Sequence, residues 1–264
     1  MAAMLIADRL GWPIEKVRVE AADTRATSFA LFTAGSRSAI HVGNAVSQAS
    51  LALRRRILEV AGERLEADAA DLELEDGVIS VRGVPARSIS VGEVFPEGIE
   101  LEEQWMAPKP SAYSSSCHAV AVEVDRETGS VDLLRYVIAY DTGQVINPVT
   151  RDGQLHGGLV HGIGMALFEE AVYDEDGGFV TASFLDYTIP SAPEISMPIR
   201  LLPMDTVSDS NPEGVKGVGE SGTIPALAAI ASAVEDALRL ARPDAAITEL
   251  PLSPLRLNQL LGGH

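Results

Sequence analysis

The feature that most constrains the fold of this chain is a predicted helix that is rich in glycine. The helix begins near Pro148 and extends to about Glu170, and a proline suits its first turn because no helical hydrogen bond is lost there. Each interior glycine costs a helix roughly 1 kcal/mol relative to alanine. Such a helix is stable only if another backbone or a bound ligand lies close against it. The glycines concerned are Gly153, Gly157, Gly158, Gly162 and Gly164.

Net charge argues against several classes of partner. The chain carries a formal charge of −18, so it repels phosphate backbones and anionic membranes, and no basic stripe offsets that repulsion. The run from Arg54 to Arg56 falls in a helical pattern and is explained by a solvated helix face. His156 and His161 interrupt the glycine-rich helix, which argues against a membrane span. We therefore expect neither a nucleic-acid partner nor a membrane partner.

Cys117 is the single cysteine of the chain, so no disulfide can form within it. His156 and His161 are five residues apart and do not share the helix face that a zinc pair needs. We therefore expect a reducing, cytoplasmic location and no metal held by protein side chains. Cys117 and His118 point to opposite faces of a predicted strand, which favours a core thiol over a Cys/His nucleophile.

Hydrophobic periodicity and turn residues predict long packing helices and two β-hairpins. Apolar residues recur every three or four positions within residues 39–65 and 224–241. Asp76-Gly77 and Gly129 mark the turns of two β-hairpins. A helix predicted at 3–10 opens the chain with no capping residue before it, so further chain is expected upstream. The other predicted features are strands at 17–19, 179–187 and 199–203, an aperiodic loop at 23–38 and a proline-punctuated connection at 85–110.

A second glycine-rich segment, Gly217 to Thr223, delivers one carboxylate, Glu220, to the start of the last long helix. Spacing alone favours a surface loop whose acid complements the helix dipole. The sequence KGVGESGT, Lys216 to Thr223, is however similar to the loop that carries the catalytic glutamate in the xanthine dehydrogenase, aldehyde oxidase and aerobic carbon monoxide dehydrogenase family.

Two further segments match this family in the same order along the chain. Ala34 to Ser38, followed by Gly43-Asn44, resembles the loop and helix start that touch the family's pyranopterin cofactor, although the bare pattern also suits a serine-rich helix cap. Asp141-Thr142-Gly143 and the glycine-rich helix resemble the family's glycine helix, whose glutamine, here Gln154, hydrogen-bonds the cofactor. Taken alone, Gln154 is equally a polar side chain near an exposed helix start. The resemblance runs from Met4 to about residue 261.

The resemblance implies a fold, a reaction and a set of site residues. The fold is α+β, with two similar sub-domains of mixed sheet and long packing helices, at residues 1–88 and 89–264. The reaction is oxidative hydroxylation of a small molecule, in which water supplies the oxygen and molybdenum accepts two electrons. Glu220 would be the catalytic base. The residues implied to hold the cofactor are Gln154, Gly35, Ser36, Arg37, Ser38 and Gly219.

The resemblance also implies cofactors and partners. The cofactor is molybdenum-molybdopterin, either as such or as its cytosine dinucleotide, and electrons would leave through 2Fe-2S clusters and FAD on an iron–sulfur subunit and a flavin subunit. Family loops that precede the helix at 3–10 do not occur here, so a chain with the N-terminal part of the large subunit is an expected partner. Aldehydes, N-heterocycles and carbon monoxide all remain open as substrates. The chain is either a subunit of a split hydroxylase, active only with its partners, or a non-catalytic fragment or assembly module of the same fold.

Overall fold

The chain folds into two units, each of which has its own three-stranded sheet and its own helices. This structure, a computed structural model, describes residues 1–21, 23, 25, 32–103, 105–106 and 112–262. Unit 1 comprises Met1–Ala112 and Val207–Lys216, and unit 2 comprises Tyr113–Thr206 and Gly217–His264. The expected α+β class is confirmed. The predicted boundary at residues 88 and 89 falls within a strand of unit 1, Val84–Ser90, and a division into sub-domains at that point stays a prediction.

Two helices of unit 1 pack against each other. The first, α1 (Ala2–Leu10), ends at Gly11, whose left-handed φ of 66° lets the chain turn sharply. The second, α2 (Asn44–Leu65), follows a π-helical turn, Ala39–Gly43, so the helix predicted at 39–65 is confirmed with its first five residues in a rarer geometry. Of the aperiodic loop predicted at 23–38, residues 24 and 26–31 lie outside the described residues.

The first predicted hairpin forms most of the sheet of unit 1. Strands β1 (Leu72–Glu75) and β2 (Val78–Val81) pair antiparallel across Asp76 and Gly77, whose φ values of 46° and 79° are the left-handed conformations that a two-residue turn needs. Strand β3 (Val84–Ser90) pairs antiparallel with β2. This sheet and the helices packed on it share one buried hydrophobic cluster, which contains Ile57, Ala61, Leu72, Leu74, Ile79 and Val94.

Two predictions for unit 1 are wrong. The connection predicted at 85–110 contains most of β3 and a short helix, α3 (Val91–Val94), and its residues 104 and 107–110 lie outside the described part of the chain. Pro85 is tolerated in β3 because this strand is at the sheet edge. Residues 17–19 do not form the predicted strand, and Val19 is exposed. β-branched residues stabilise a strand only where neighbouring side chains cover them.

The second predicted hairpin forms most of the sheet of unit 2. Strands β4 (Ser115–Val124) and β5 (Val131–Asp141) pair antiparallel, and β6 (Ile199–Pro203) lies parallel to β5. The strand predicted at 179–187 does not form, and Phe179 makes only a single bridge to Tyr173. Apolar side chains in this segment point to solvent, with Leu185 90% exposed, so it lacks the buried face that stabilises a strand.

The described residues of unit 2 form three α-helices, of which the first two confirm predictions. They are α4 (Pro148–Leu167), α5 (Ile224–Arg239) and the unpredicted α6 (Pro254–Leu261). Helix α5 packs on β4 and on α4 and buries Ala226, Ile230, Val234 and Leu238. Of the residues whose spacing predicted this helix, Val234 and Leu238 are buried, whereas Ile224 is exposed. Over the ranges described, no helix combines the length and the apolar character needed to span a bilayer.

Candidate active site

Glu220 lies in a series of turns that leads directly into α5. Its carbonyl oxygen accepts hydrogen bonds from the amides of Thr223 at 3.0 Å and Ile224 at 3.1 Å, so helical hydrogen bonding begins at Glu220. Glu220 and Gly219 are both exposed. Glu220 is therefore an exposed residue that shortly precedes the N-terminal end of α5, as the sequence pattern predicted.

Three glycines of α4 are explained by close packing within unit 2. A Cβ added to Gly158 would lie 3.0 Å from the Cα of Gly222, and a Cβ added to Gly222 would lie 2.4 Å from the carbonyl oxygen of Leu155. The hydroxyl of Thr223 donates to the carbonyl of Gly158 at 3.0 Å. The predicted close approach of another backbone is confirmed here, because the glutamate loop is seated directly on the helix. The other two closely packed positions are Gly162, against Ala226, and Gly164, against Glu169 and Pro190.

The remaining two helix glycines face open space. Apart from the adjacent residues and the backbone of the same helix, no heavy atom of the described residues comes within 4 Å of a Cβ added to Gly153 or Gly157. Gln154 is exposed between them, and it is adjacent to Leu155, which contacts the glutamate loop. This face therefore presents the carboxamide of Gln154 next to the backbone of Gly153 and Gly157, which have no Cβ to cover it. A flat, heteroatom-rich ligand fits such a cradle, because the backbone can be approached closely and the carboxamide can both donate and accept.

The serine-containing loop belongs to unit 1. Gly35 and Ser36 adopt consecutive left-handed φ values of 65° and 52°, and the guanidinium of Arg37 donates to the carbonyl of Phe32 at 3.0 Å. Ser38 is exposed and directly precedes the π-helical turn. Non-glycine residues with positive φ and π-helical turns are both uncommon and are frequent at functional sites. Neither feature was predicted from the sequence.

The structure brings only some of the predicted site residues together. Gln154, Gly219 and Glu220 lie on two elements of unit 2 that touch, α4 and the glutamate loop. The loop at 35–38 is part of the other unit. The assignment of all these residues to a cofactor site stays a prediction.

A buried polar network in unit 1 was missed by sequence reasoning. The carboxylate of Glu213 accepts from the guanidinium of Arg9 at 2.8 Å and from the hydroxyl of Ser47. Asn44 accepts from the backbone amide of Glu213 at 3.0 Å and donates to the side chain of Asn211 at 3.2 Å. The network ties the segment before the glutamate loop to α1 and α2. Its one sequence signal was Asn44 in a matched motif, since the other partners are far apart along the chain.

The expectation that Cys117 is a core thiol is wrong, because its side chain is exposed. It lies on the outer face of β4, whereas His118 points inward to Tyr136, so the prediction that the two residues face opposite sides is confirmed. Among the residues that the structure describes, no three His, Cys, Asp or Glu side chains form a group that could hold a metal ion.

Comparison with known proteins assigns the chain to a family. The model of the molybdopterin cofactor-binding domain matches residues 1–196, a range that includes Gln154 and ends before Glu220. The chain is 37% identical to the nicotine 6-hydroxylase large subunit of Paenarthrobacter nicotinovorans over 266 aligned positions, which cover 96% of this chain and 32% of that protein.

Solved structures agree with this assignment. Quinoline 2-oxidoreductase from Pseudomonas putida 86 superposes with a TM-score of 0.83 and 33% identity, over 99% of this chain and 34% of that one. A copper- and molybdenum-containing carbon monoxide dehydrogenase superposes with a TM-score of 0.84 and 28% identity, over 100% of this chain and 34% of that one. The chain thus spans about a third of the length of the relatives it matches. It belongs to the molybdopterin cofactor-binding domain family of the molybdenum hydroxylases and corresponds to a C-terminal portion of their large subunits.

Proposed function

We propose that this chain completes the active site of a molybdenum hydroxylase and supplies its base, Glu220. The observation that carries the proposal is the seating of the glutamate loop on α4, where Gly222 meets the carbonyl of Leu155 next to Gln154. The proposed base, Glu220, and a proposed cofactor-binding residue, Gln154, are thereby held on two elements that touch. When bound, the cofactor supplies a molybdenum centre that accepts two electrons from the substrate.

Each site residue has a role that follows from its chemistry. Glu220 accepts the proton of the oxygen nucleophile derived from water as that oxygen attacks an electron-poor carbon. The carboxamide of Gln154 pairs with donor and acceptor atoms of molybdopterin, or of its cytosine dinucleotide form, over the open face at Gly153 and Gly157. Gly219, which is exposed and directly precedes Glu220, would present its backbone to the cofactor. The loop of Gly35, Ser36, Arg37 and Ser38 would offer backbone and side-chain donors to the anionic part of the cofactor.

The proposed enzyme works in the cytoplasm and needs partner chains. Because this chain spans about a third of its relatives, we propose that a chain with the N-terminal part of the large subunit closes the pocket. An iron–sulfur subunit with 2Fe-2S clusters and a flavin subunit with FAD would carry the electrons away. N-heteroaromatic compounds are the first substrate class to test, because the relatives named for nicotine and quinoline share 37% and 33% identity with this chain.

The test is co-expression of the chain with its candidate partner subunits, followed by assay with quinoline, nicotine and benzaldehyde and an artificial electron acceptor. We expect molybdenum and the partner chains to co-purify with wild type in equal proportion. Glu220→Gln should lower kcat by about 10² to 10⁴-fold with the molybdenum content unchanged, because a carboxamide cannot accept the proton. The matched control is Glu175→Gln, at an exposed carboxylate outside the site, which should keep wild-type turnover.

Two results would contradict the proposal. Near-normal turnover of the Glu220→Gln enzyme would remove Glu220 from the role of base. A metal-free chain would favour the second candidate, a non-catalytic fragment or assembly module of the same fold: a fragment if no partner binds, an assembly module if the partners do. The exposed apolar side chains Phe184 and Leu185, 83% and 90% accessible, suit an assembly role.

A further inference from the structure

Ser221, which follows Glu220, is held by side chains of β4 and of Ser114, the residue that precedes β4. The carbonyl oxygen of Ser221 accepts hydrogen bonds from Ser116 Oγ at 3.2 Å and from His118 Nε2 at 3.0 Å. The hydroxyl of Ser114 lies 3.4 Å from that of Ser221. These three partners alternate along the chain and so share one face of the strand. Ser221 is only 8% exposed, so its polar atoms depend on protein partners.

Pro225 explains why this carbonyl needs partners from another element. In a helix the carbonyl of residue i accepts from the amide of residue i+4, as the carbonyl of Glu220 does from Ile224. The next carbonyl, that of Ser221, falls opposite Pro225, which has no N–H to donate. A buried carbonyl without a donor is destabilising. His118 and Ser116 supply side-chain donors in place of the one N–H that the proline lacks.

The donor role determines the tautomer of His118. A carbonyl only accepts, so Nε2 must carry the proton in the contact with Ser221. In the neutral ring Nδ1 is then an acceptor, and the hydroxyl of Tyr136, 3.0 Å away, is its donor. Tyr136 is fully buried, and its ring meets the imidazole edge to face with 5.5 Å between centroids. Burial lowers the pKa of His118, although the hydrogen bond to Ser221 opposes this, and so favours the neutral ring.

We propose that His118 is a positioning residue for Glu220, a role that rests on the proposed function of Glu220 as the base. The hydrogen bonds from Tyr136 through His118 to Ser221 hold the loop on one side. Contact of Gly222 with α4 holds it on the other. The backbone on the C-terminal side of Glu220 is therefore clamped between two elements of unit 2, which sets the direction of the carboxylate before any cofactor binds.

The first test measures loop order in the chain itself, by hydrogen-exchange mass spectrometry of peptides that cover residues 217–224. In His118→Leu the loop amides should exchange about tenfold faster, because a buried carbonyl loses a donor. His118→Gln places an amide donor near the position of Nε2 and should keep wild-type exchange. The double variant His118→Leu/Pro225→Ala should recover protection, because residue 225 then has an N–H for the Ser221 carbonyl. If His118→Leu does not fold, Ser116→Ala removes the other donor and should loosen the same peptides.

The second test uses the assembled enzyme and the substrate panel of the proposed function. His118→Leu should lower kcat about tenfold with KM and molybdenum content unchanged, and the double variant should restore it. Unchanged loop exchange in the folded leucine variant, or exchange that stays fast after Pro225→Ala, would overturn the positioning role. Normal turnover of Glu220→Gln beside a loosened loop in His118→Leu would instead remove the proposed function and leave the clamp on the loop intact.

Discussion

The packing of α4 against α5 predicts opposite effects for the same substitution at two glycines of one helix. A Cβ added to Gly162 would lie 2.4 Å from the Cβ of Ala226 and 3.3 Å from the carbonyl oxygen of Thr223. Carbon atoms in contact are normally separated by about 3.5 to 4.0 Å, so α4 and α5 must separate or distort in Gly162→Ala. The Cβ introduced by Gly157→Ala would have no described atom within 4 Å apart from its chain neighbours and its own helix backbone, so this variant is the matched control.

The magnitude follows from two opposing contributions. Replacing a helix glycine by alanine stabilises the helix by up to about 1 kcal/mol, and this gain is common to both variants. Overpacking costs about 1 to 3 kcal/mol and applies to Gly162→Ala alone. We therefore expect Gly157→Ala to be more stable than wild type by up to about 1 kcal/mol and Gly162→Ala to be less stable than Gly157→Ala by about 1 to 3 kcal/mol. The severe overlap at Ala226 places the cost at the upper end.

Hydrogen exchange of α4 and α5 peptides is the suitable assay, because both tryptophans, Trp12 and Trp105, lie in unit 1 and do not report on these helices. A difference of 1 to 3 kcal/mol corresponds to about 5- to 150-fold in the exchange rate of protected amides. Equal protection in the two alanine variants would refute the close packing of α4 on α5, and with it the seating of the glutamate loop.

Two further predictions concern buried polar groups. Glu213→Gln should destabilise unit 1 by about 1.5 to 3 kcal/mol, because it weakens charge-assisted hydrogen bonds with Arg9 and Ser47, whereas the control Asp8→Asn, at an exposed partner of the same arginine, should change stability by less than about 0.5 kcal/mol. Tryptophan fluorescence during urea unfolding measures both, and equal midpoints would contradict the buried network. Burial lowers the pKa of His118 from its ordinary value of 6.5. As the pH falls, the imidazole is therefore protonated in the unfolded chain before it is protonated in the folded chain. The stability contributed by neutral His118 should be complete above about pH 6.5 and decline at lower pH, and a thermal-unfolding profile of wild type that runs parallel to that of His118→Gln between pH 7 and 5 would argue against it.

Local sequence patterns predicted most of the secondary structure and one feature of the candidate site, the placement of Glu220 just before a helix. The spacing of Leu227, Ala231, Val234 and Leu238 predicted α5, and Asp76-Gly77 predicted the turn between β1 and β2, because both signals depend on residues within a few positions of each other. The strand predicted at 179–187 failed because no buried face receives it. The π-helical turn before α2 has no sequence signal of its own.

The sequence by itself determined the helices, the hairpins, the family resemblance and the delivery of Glu220 to the start of a helix, since each of these is encoded in a short stretch of chain. Tertiary structure alone decided which glycines of α4 touch a neighbour and which stay open for a ligand, because Gly158 and Thr223 are 65 positions apart. It likewise decided that His118 donates a hydrogen bond to the Ser221 carbonyl, although the two residues are 103 positions apart. The need for such a partner could be read from Pro225, which removes a donor, but which side chain meets the need depends on how β4 and α5 pack.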